Sequence, residues 1–418
     1  MFAWRSMSTL MLLVLALGWV GCPAMPPSNL TLDVGAVTVN LNSCPAQVTL
    51  TNTGTQWLRW RAESDTASVV VHPESNEEFE WLRQGESVVV TIAAADTTAD
   101  LTAQVQFINE FEAADIETVT VTVEQSTADP VVAPAMLATA GGTFLMGSNS
   151  GESGEEVREI TLNPFSIGAF EVTAGEYARI LNWANAQGLL QLIQSPTAVV
   201  VRTGGQQIAR ANRFDNTDYA ITYNGCGAFS AAVRDGISLE NYPVYRINWF
   251  GAVAYCNWLS ENQGLDPAYN LATWALVDTP TNGYRLPFEA EWEFAAAWDG
   301  DKHWTYGFMS DTIDATRANF DHNNPMGFLT GPDISPVGFY DGTNGTVDSP
   351  SPLGAYDMTG NVWEWCYEGG TTQGVLVRIT RGGSWGNIAE NARTARRYFI
   401  DGETFTESTG FRVARSTL

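Results

Sequence analysis

The segment from Leu353 to Cys366 reads LGAYDMTGNVWEWC and determines how the C-terminal two-thirds of the chain is interpreted. Two carboxylates, Asp357 and Glu364, enclose a turn that contains a glycine and is followed by two tryptophans. Carboxylates and the backbone carbonyls between them are the hard, flexible oxygen ligands that calcium prefers. Because tryptophan is bulky, a small number of tryptophan side chains can fill a core, and glycine permits turns with positive φ. The segment therefore predicts a loop-rich, aromatic fold with a candidate calcium site.

The composition bounds the possible functions. The chain has 418 residues, of which 44% are hydrophobic, and this is sufficient for two or three globular domains. The net charge of −26 excludes a nucleic-acid partner, because binding phosphates requires a basic surface. Lys302 is the single lysine, which argues against Schiff-base chemistry. The sequence has no CxxC pair and no clustered histidines, so it does not indicate a zinc-thiolate or histidine-rich site.

Residues 1–22, MFAWRSMSTLMLLVLALGWVGC, have the pattern of an export signal. Arg5 supplies a positive charge, and Leu10–Val20 form an apolar run that is short for a membrane-spanning helix. Val20-Gly21-Cys22 resembles a bacterial lipoprotein cleavage site, in which Cys22 would carry the lipid. We expect an exported, lipid-anchored protein of the cell envelope, in the outer membrane or facing the periplasm. Simple secretion and a retained anchor remain alternatives.

The rest of the chain divides by composition. Residues 29–125 alternate apolar and polar positions in short Val- and Thr-rich segments, which predicts an all-β, immunoglobulin-like sandwich. Residues 126–135 predict a stiff linker, and residues 136–418 predict a second domain rich in Gly and Trp. Within it, Val253–Glu261 and Pro287–Trp298 have helical spacing. The polar segment Thr203–Glu240 is expected to form surface loops beside a groove.

Seven segments of the second domain resemble, in order, the formylglycine-generating enzyme, or sulfatase-modifying-factor, family. They are GGTFLMGS (141–148), FEVTAGEYA (170–178), YPVYRINWFGAVAYCNWLSE (242–261), NGYRLPFEAEWEFAAA (282–297), LGAYDMTGNVWEWC (353–366), RGGSW (381–385) and STGFRVAR (408–415). The resemblance covers about two-thirds of the chain. It implies an α+β, C-type-lectin-like fold with little regular secondary structure.

The resemblance also implies metal ligands. It implies a calcium site formed by Asp357, Gly360, Val362 and Glu364. The alternative is that the two acids, Asp357 and Glu364, only cap turns. A second calcium site maps onto Asn319 and Phe320. In that alignment Met326 stands where the family has an aspartate, and Asp321 is a possible substitute.

Aerobic enzymes of the family hold copper between two cysteines that follow the RGGS motif. Aligned on residues 382–384, those positions are Asn387 and Ala392. An amide and a methyl group cannot bind copper(I), which prefers thiolates. We therefore expect no copper and no formylglycine-generating activity. A branch that uses non-haem iron relies on a histidine triad, and His72, His303 and His322 are too scattered to supply one.

Seven arginines lie in the last 41 residues, and guanidinium groups bind anions in a bidentate manner. One interpretation is a groove for a peptide or an anionic glycan. Its candidate lining residues are Trp363, Ser384, Trp385, Asn387, Arg393, Arg396 and Arg397. The other interpretation is that these arginines pair internally with the excess of acidic residues.

The sequence thus favours a catalytically silent, calcium-stabilised binding or assembly module at the cell surface, whose ligand is a peptide, a protein or a glycan. The first alternative is a metal-dependent oxidase or modifying enzyme that acts on an exported peptide. The second is a lectin-like glycan-binding protein.

Overall fold

The computed structural model describes the chain from Leu30 to Thr417 with gaps, and its contacts divide the chain into two units. The described ranges are 30–32, 35–39, 46–66, 69–73, 81–94, 101–110, 114–123, 130–149, 154–194, 198–213, 219–224, 228–279, 281–372 and 374–417. The N-terminal unit spans the described residues up to Val123, and the C-terminal unit spans those from Pro130. The predicted signal segment, including Cys22, and two further cysteines, Cys44 and Cys226, lie outside the described residues.

The N-terminal unit consists of two β-sheets. Its strands are β1 (Leu30–Leu32), β2 (Ala36–Val39), β3 (Ala46–Asn52), β4 (Leu58–Ser64), β5 (Val69–Pro73), β6 (Trp81–Leu82), β7 (Ser87–Ala94), β8 (Leu101–Asn109) and β9 (Ile116–Val123). One sheet has the order β1-β3-β7-β5 and the other β2-β9-β8-β4-β6. Pairing is antiparallel except between β2 and β9. The predicted strand-rich character is confirmed, and the immunoglobulin-like assignment stays a prediction.

The C-terminal unit is built from short strands and three described α-helices. The helices are α1 (Ala174–Ala186), α2 (Trp249–Asn262) and α3 (Glu289–Ala297), with a 3-10 turn at Ala389–Ala392. The strands are β10 (Met136–Thr139), β11 (Gly142–Met146), β12 (Arg158–Leu162), β13 (Phe165–Gly168), β14 (Gln191–Gln194), β15 (Ala198–Thr203), β16 (Gln206–Arg213), β17 (Ile221–Tyr223), β18 (Phe229–Ala231), β19 (Val233–Arg234), β20 (Ile237–Ser238), β21 (Tyr269–Asn270), β22 (Ala275–Leu276), β23 (Tyr284–Arg285), β24 (Trp363–Thr372), β25 (Val375–Arg381), β26 (Tyr398–Asp401), β27 (Thr409–Gly410) and β28 (Ala414–Ser416).

Three sheets of this unit position the candidate site. Their orders are β10-β13-β28-β23, β14-β15-β16-β17-β18 and β26-β25-β24-β27. Strand β24 begins with the predicted motif residue Trp363, and its neighbour β25 ends at Arg381. Because Glu364 pairs in register with Arg381, the calcium motif and the RGGSW motif lie on adjacent strands.

Local sequence explains the ends of the helices. Thr173 and Glu176 form a capping box that starts α1: the Thr173 hydroxyl accepts from the Glu176 N–H at 3.1 Å, and the Glu176 carboxylate accepts from the Thr173 N–H at 2.8 Å. Helix α2 starts where the Asn248 side chain accepts from the Gly251 N–H at 2.9 Å. Both helices predicted from spacing are confirmed, since α2 contains Val253–Glu261 and α3 lies within Pro287–Trp298.

The polar segment Thr203–Glu240 was expected to form surface loops, and its residues 214–218 and 225–227 lie outside the described residues. Most of its described residues instead build strands β16 to β20, and Ile208, Ala211 and Ile221 are buried in the main core. The prediction was wrong because alternating polar residues on one face of a sheet look like a loop when the apolar positions between them are small, such as the alanines of β16. Among the described residues, no helix has the length and apolar character needed to cross a membrane.

Gly251 offers a test of this packing. It lies in α2, where alanine normally stabilises a helix by about 1 kcal/mol, but a Cβ there would overlap the Ile208 carbonyl of β16 and approach the Tyr177 hydroxyl. We expect Gly251→Ala to destabilise the protein by about 2 kcal/mol or more, measured by urea unfolding. Gly175→Ala in α1 is the matched control, because the atoms nearest to its Cβ all belong to the half-exposed Glu240 side chain, which can move. Equal stabilities of the two variants would contradict this packing.

Candidate functional site

The predicted calcium motif lies in a buried cluster of three carboxylates and one guanidinium. Glu171, Asp357 and Glu364 are at most 8% exposed, and Arg412 is fully buried. Arg412 binds Glu364 in a bidentate manner, with 2.6 Å from Nε to Oε2 and 2.6 Å from Nη2 to Oε1. The Trp292 indole N–H donates to the same Oε2 at 2.7 Å. One positive charge therefore faces three acidic groups in a region that excludes water.

The pKa values of the other two acids reflect this excess of negative charge. Burial, together with the charges of Asp357 and Glu364, raises the pKa of Glu171 well above its usual range. Burial raises the pKa of Asp357 to about 6, and the Glu364 charge adds to the effect. Glu171 accepts from the Asn361 amide at 3.1 Å, and Asp357 accepts from the Gly338 N–H at 2.6 Å. A cation or bound protons would relieve this repulsion.

The backbone around these acids is held in an uncommon conformation. Asp357 and Asn361 both have left-handed φ values, 59° and 58°, which non-glycine residues adopt rarely. Gly360 between them has φ 84°, and a side chain there would overlap the Asn319 carbonyl. Such strain persists where the surrounding contacts hold it, and it often marks functional loops.

The fit to calcium is partial. The charge and the oxygen-rich turn suit a divalent cation, and Asp357 is the open carboxylate of the motif. Glu364 already accepts three hydrogen bonds, which leaves one lone pair of Oε1 for a metal. Within the part of the chain that the structure describes, no three His, Cys, Asp or Glu side chains are arranged as a metal site. Calcium at Asp357, Gly360, Val362 and Glu364 stays a prediction that depends on backbone carbonyls as ligands.

At the second predicted calcium position, the Asn319 amide group is held by the backbone. It donates to the backbone carbonyl of Asp333 at 2.7 Å. Met326 packs against the main core, and the Asp321 N–H donates to the Asn387 carbonyl. The Asn319 side-chain oxygen is buried and has no hydrogen-bond partner among the described residues. An unpaired buried oxygen is compatible with a missing ligand there. The site itself, with Asn319 and Phe320, remains a prediction.

The two positions of the copper cysteines are occupied by hydrogen-bonded and packed groups. The Ser384 hydroxyl donates to the Asn387 side-chain oxygen at 2.7 Å, so this amide is fixed within its own turn. Ala392 is fully buried, and a Cβ on Gly383 would lie 2.8 Å from the Ala392 Cα. Two cysteines lie within the described ranges, Cys256 in α2 and Cys366 in β24.

Neither of these two cysteines replaces the missing pair. Cys256 and Cys366 are fully buried and belong to different hydrophobic clusters of the core. Burial raises the pKa of both thiols, which disfavours the thiolate form that binds metal. No pair of thiols among the described residues is placed to hold copper(I) at positions 387 and 392.

The C-terminal arginines pair within the fold. Arg381 binds Glu289 and Glu293, Arg393 binds Glu155 at 2.7 Å, and Arg397 binds Glu289. Arg396 lies 3.6 Å from Glu155, and Arg378 stacks on Trp249 with 3.6 Å from its guanidinium carbon to the ring centroid. Arg415 donates to the Asn282 carbonyl at 2.8 Å. Arg381, Arg393, Arg396 and Arg397 thus have acidic partners within the fold, in agreement with the internal-pairing interpretation.

A smaller surface remains at Asn387, Ile388 and His322, above the buried Ser384 and Trp385, and we call it the 384–388 surface. Ile388 is 58% exposed at its edge, and the His322 ring packs edge-to-face on Trp385 with 5.1 Å between centroids. The Trp385 indole N–H is buried without a partner among the described residues. Trp363, the other predicted groove tryptophan, is buried and stacks on Tyr398. His322 was not predicted from the sequence, since an isolated histidine gives no signal.

Comparison with known proteins agrees with the ordered motifs. Residues 122–417 match the family described as the sulfatase-modifying factor enzyme 1-like domain. The chain therefore belongs to the formylglycine-generating enzyme, or sulfatase-modifying-factor, family, and the resemblance seen in the sequence is confirmed.

Individual relatives differ in their named activity. The chain is 28% identical over 302 residues to the inactive C-alpha-formylglycine-generating enzyme 2 of Mus musculus, covering 68% of this chain and 86% of the relative. It is 26% identical over 339 residues to the formylglycine-generating enzyme of Thermomonospora curvata, covering 69% and 95%. A crystal structure of CarF matches with a TM-score of 0.47 and 24% identity over 68% of this chain and 99% of that one. Family membership alone therefore does not decide whether the chain is an enzyme.

The Glu364–Arg412 pair gives a stability prediction. Arg412→Met leaves the Glu364 carboxylate buried and unpaired, and we expect a loss of about 3 to 5 kcal/mol in urea unfolding. Combining it with Glu364→Gln should restore part of this loss, because the unpaired charge is gone. Lys302→Met is the control: it breaks an exposed pair with Asp311 and should cost less than about 1 kcal/mol. An Arg412→Met variant as stable as the control would show that the pair does not hold the site.

Proposed function

We propose that the family domain of this protein is a non-catalytic binding or assembly module. The observation that carries the proposal is the state of the two copper positions: Asn387 is bonded to Ser384, and Ala392 is fully buried. Copper(I) needs soft thiolate ligands, and an amide and a methyl group provide none. The relative named as inactive supports the idea that the family scaffold can persist without the activity.

The ligand of this module is a protein or peptide that docks on the 384–388 surface. Ile388 and His322 are exposed there, next to the buried indole N–H of Trp385. The exposed Ile388 side chain offers apolar area, and the exposed His322 ring beside it offers a polar group, a combination that suits a peptide or protein partner. The internal pairing of Arg393, Arg396 and Arg397 argues against a strongly anionic ligand.

Calcium and the envelope location complete the proposal. Calcium would be held by the Asp357 carboxylate, the Gly360 and Val362 carbonyls and one oxygen of Glu364, where it would neutralise the buried acids and tie the loops together. The export pattern of residues 1–22 supports a location at the cell envelope, with Cys22 as the lipid-bearing residue. In this arrangement the N-terminal β unit acts as a spacer with an immunoglobulin-like fold.

A glycan is the second candidate ligand, because of one specific feature. An open cavity of about 300 Å³ is lined by Phe294, Trp298 and Asp299, together with the Gly141-Gly142 turn. An aromatic ring beside a carboxylate and backbone groups is compatible with a sugar ring. Binding of a glycan that is lost in Trp298→Ala, while the 384–388 surface is intact, would favour this candidate over a peptide.

Restoring the cysteines tests the assignment as non-catalytic. The wild-type chain should bind no stoichiometric copper(I) in competition with a chromophoric chelator, and it should consume no oxygen with a cysteine-containing peptide. Asn387→Cys combined with Ala392→Cys should gain one copper(I), because the two positions then supply a thiolate pair. Each single variant is the matched control and should bind at least 100-fold more weakly. Stoichiometric copper in the wild-type protein would refute the proposal.

Calcium removal tests the metal part separately. We expect chelation to lower the melting temperature of the wild-type protein, because the repulsion among Glu171, Asp357 and Glu364 is then unbalanced. Asp357→Ala should abolish the response to calcium, and Asp357→Asn should weaken it, since the amide keeps one oxygen ligand. Asp278→Ala, which removes an exposed carboxylate, should leave the response unchanged. A melting temperature that is independent of calcium would exclude this site.

A further inference from the structure

Arg234 is a buried cation that the proposed function does not use. It ends strand β19, and the hairpin to β20 turns through Asp235 and Gly236, both with positive φ. The residue is only 1% exposed, comparable to Arg381 and Arg412. Arginine is almost never buried to this extent unless it is paired.

Its guanidinium group lacks acceptors. Nε, Nη1 and Nη2 are all buried, and none has a hydrogen-bond partner in the described part of the chain. The guanidinium stacks on the Phe328 ring, with its carbon 3.9 Å from the ring centroid. This cation–π contact stabilises the charge but gives the N–H groups no hydrogen-bond acceptor. Arg412 shows the contrast, since its three nitrogens all donate to carboxylate or carbonyl oxygens.

The nearby acids do not supply the missing acceptors. Asp235 accepts from the Leu329 N–H at 2.9 Å, and Asp333 accepts from the His322 ring at 3.2 Å. Both contribute negative potential at Arg234, but neither forms an ion pair with it. Burial outweighs them and lowers the pKa of Arg234. The charged guanidinium is thus insufficiently compensated where it lies, and its five N–H donors remain unused.

A short exposed loop covers the guanidinium. Leu329 is 85% exposed, and Thr330 and Gly331 are exposed beside it. Gly331 has φ 78°, and a Cβ there would lie 2.6 Å from Arg234 Nη1, so only glycine permits this close approach. The Leu329–Asp235 hydrogen bond is one attachment of this loop to the β19 hairpin.

We propose that Arg234 is a binding site for a carboxylate group, which enters beneath the loop of residues 329–331. A planar carboxylate matches the guanidinium fork with two parallel hydrogen bonds. The neighbouring Asp235 and Asp333 disfavour a dianion such as phosphate, so the ligand is a monoanion. Either a peptide C-terminus or an acidic side chain supplies this chemistry. The proposal is independent of the 384–388 surface and of the missing copper ligands.

Melting curves of the full chain with small carboxylates test the site. Acetate and N-acetylglycine should raise the melting temperature more than chloride or phosphate at equal ionic strength. At about 100 times the Kd, the rise should reach about 5 °C or more. Arg234→Met should abolish this response and, in carboxylate-free buffer, melt no lower than the wild type, because it removes a buried unpaired charge.

Arg317→Met is the matched control, since Arg317 also lies over a phenylalanine ring, Phe308, but is only partly buried. It should keep the wild-type response. If Arg234→Met does not fold, the arginine Nε–H resonances of the wild type give the answer: one should shift saturably with acetate. Equal effects of acetate and chloride, a response retained in Arg234→Met, or no shifted resonance would overturn the proposal. Peptides with a free C-terminus, an amidated C-terminus or an added glutamate then distinguish the two sources of the carboxylate.

Discussion

The bidentate pair between Glu364 and Arg412 is the interaction on which the C-terminal unit depends. It joins the start of β24 to the segment just before β28, two regions separated by 48 residues and both fully buried. The remaining Arg412 donors go to the carbonyls of Gly168 and Tyr356, so one side chain connects four segments of a fold with long loops. Because these donors and acceptors are shielded from water, removing either partner is far more costly than breaking a surface pair.

The same interaction explains why this region has a surplus of negative charge. Arg412 neutralises Glu364 but leaves Glu171 and Asp357 without a cation in contact. A fold would not retain two further buried acids for packing alone, since isolated buried charges are unfavourable. The divalent ion proposed above would account for their presence, and the raised pKa of Glu171 favours its protonated form. The strained conformations of Asp357 and Asn361 keep these groups in place in either case.

The sequence predicted the parts of this architecture that depend on local pattern or on motifs. Helices α2 and α3 follow from apolar spacing, and the family follows from seven ordered segments. Glu171 and Arg412 lie within two of those segments. Glu171 is 193 residues and Arg412 is 48 residues from Glu364, and a single sequence does not show that the three side chains lie close together. Arg234 was hidden for a related reason: lack of a partner is a property of three-dimensional packing. The strands of residues 203–240 were missed because small alanines conceal their apolar face.

The contacts of the RGGSW segment hold the scaffold independently of positions 387 and 392. Arg381, at the start of the RGGSW segment, binds Glu289 and Glu293 of α3 and donates to two backbone carbonyls. These contacts hold the segment in place, and none of them involves position 387 or 392. Asn387 and Ala392, which align with the copper cysteines of the family, lie beyond this anchor and contribute a local hydrogen bond and a buried methyl group. These anchoring contacts therefore do not depend on the residue types at positions 387 and 392. In the proposed non-catalytic role, the fold would be held by the same contacts without any copper ligand.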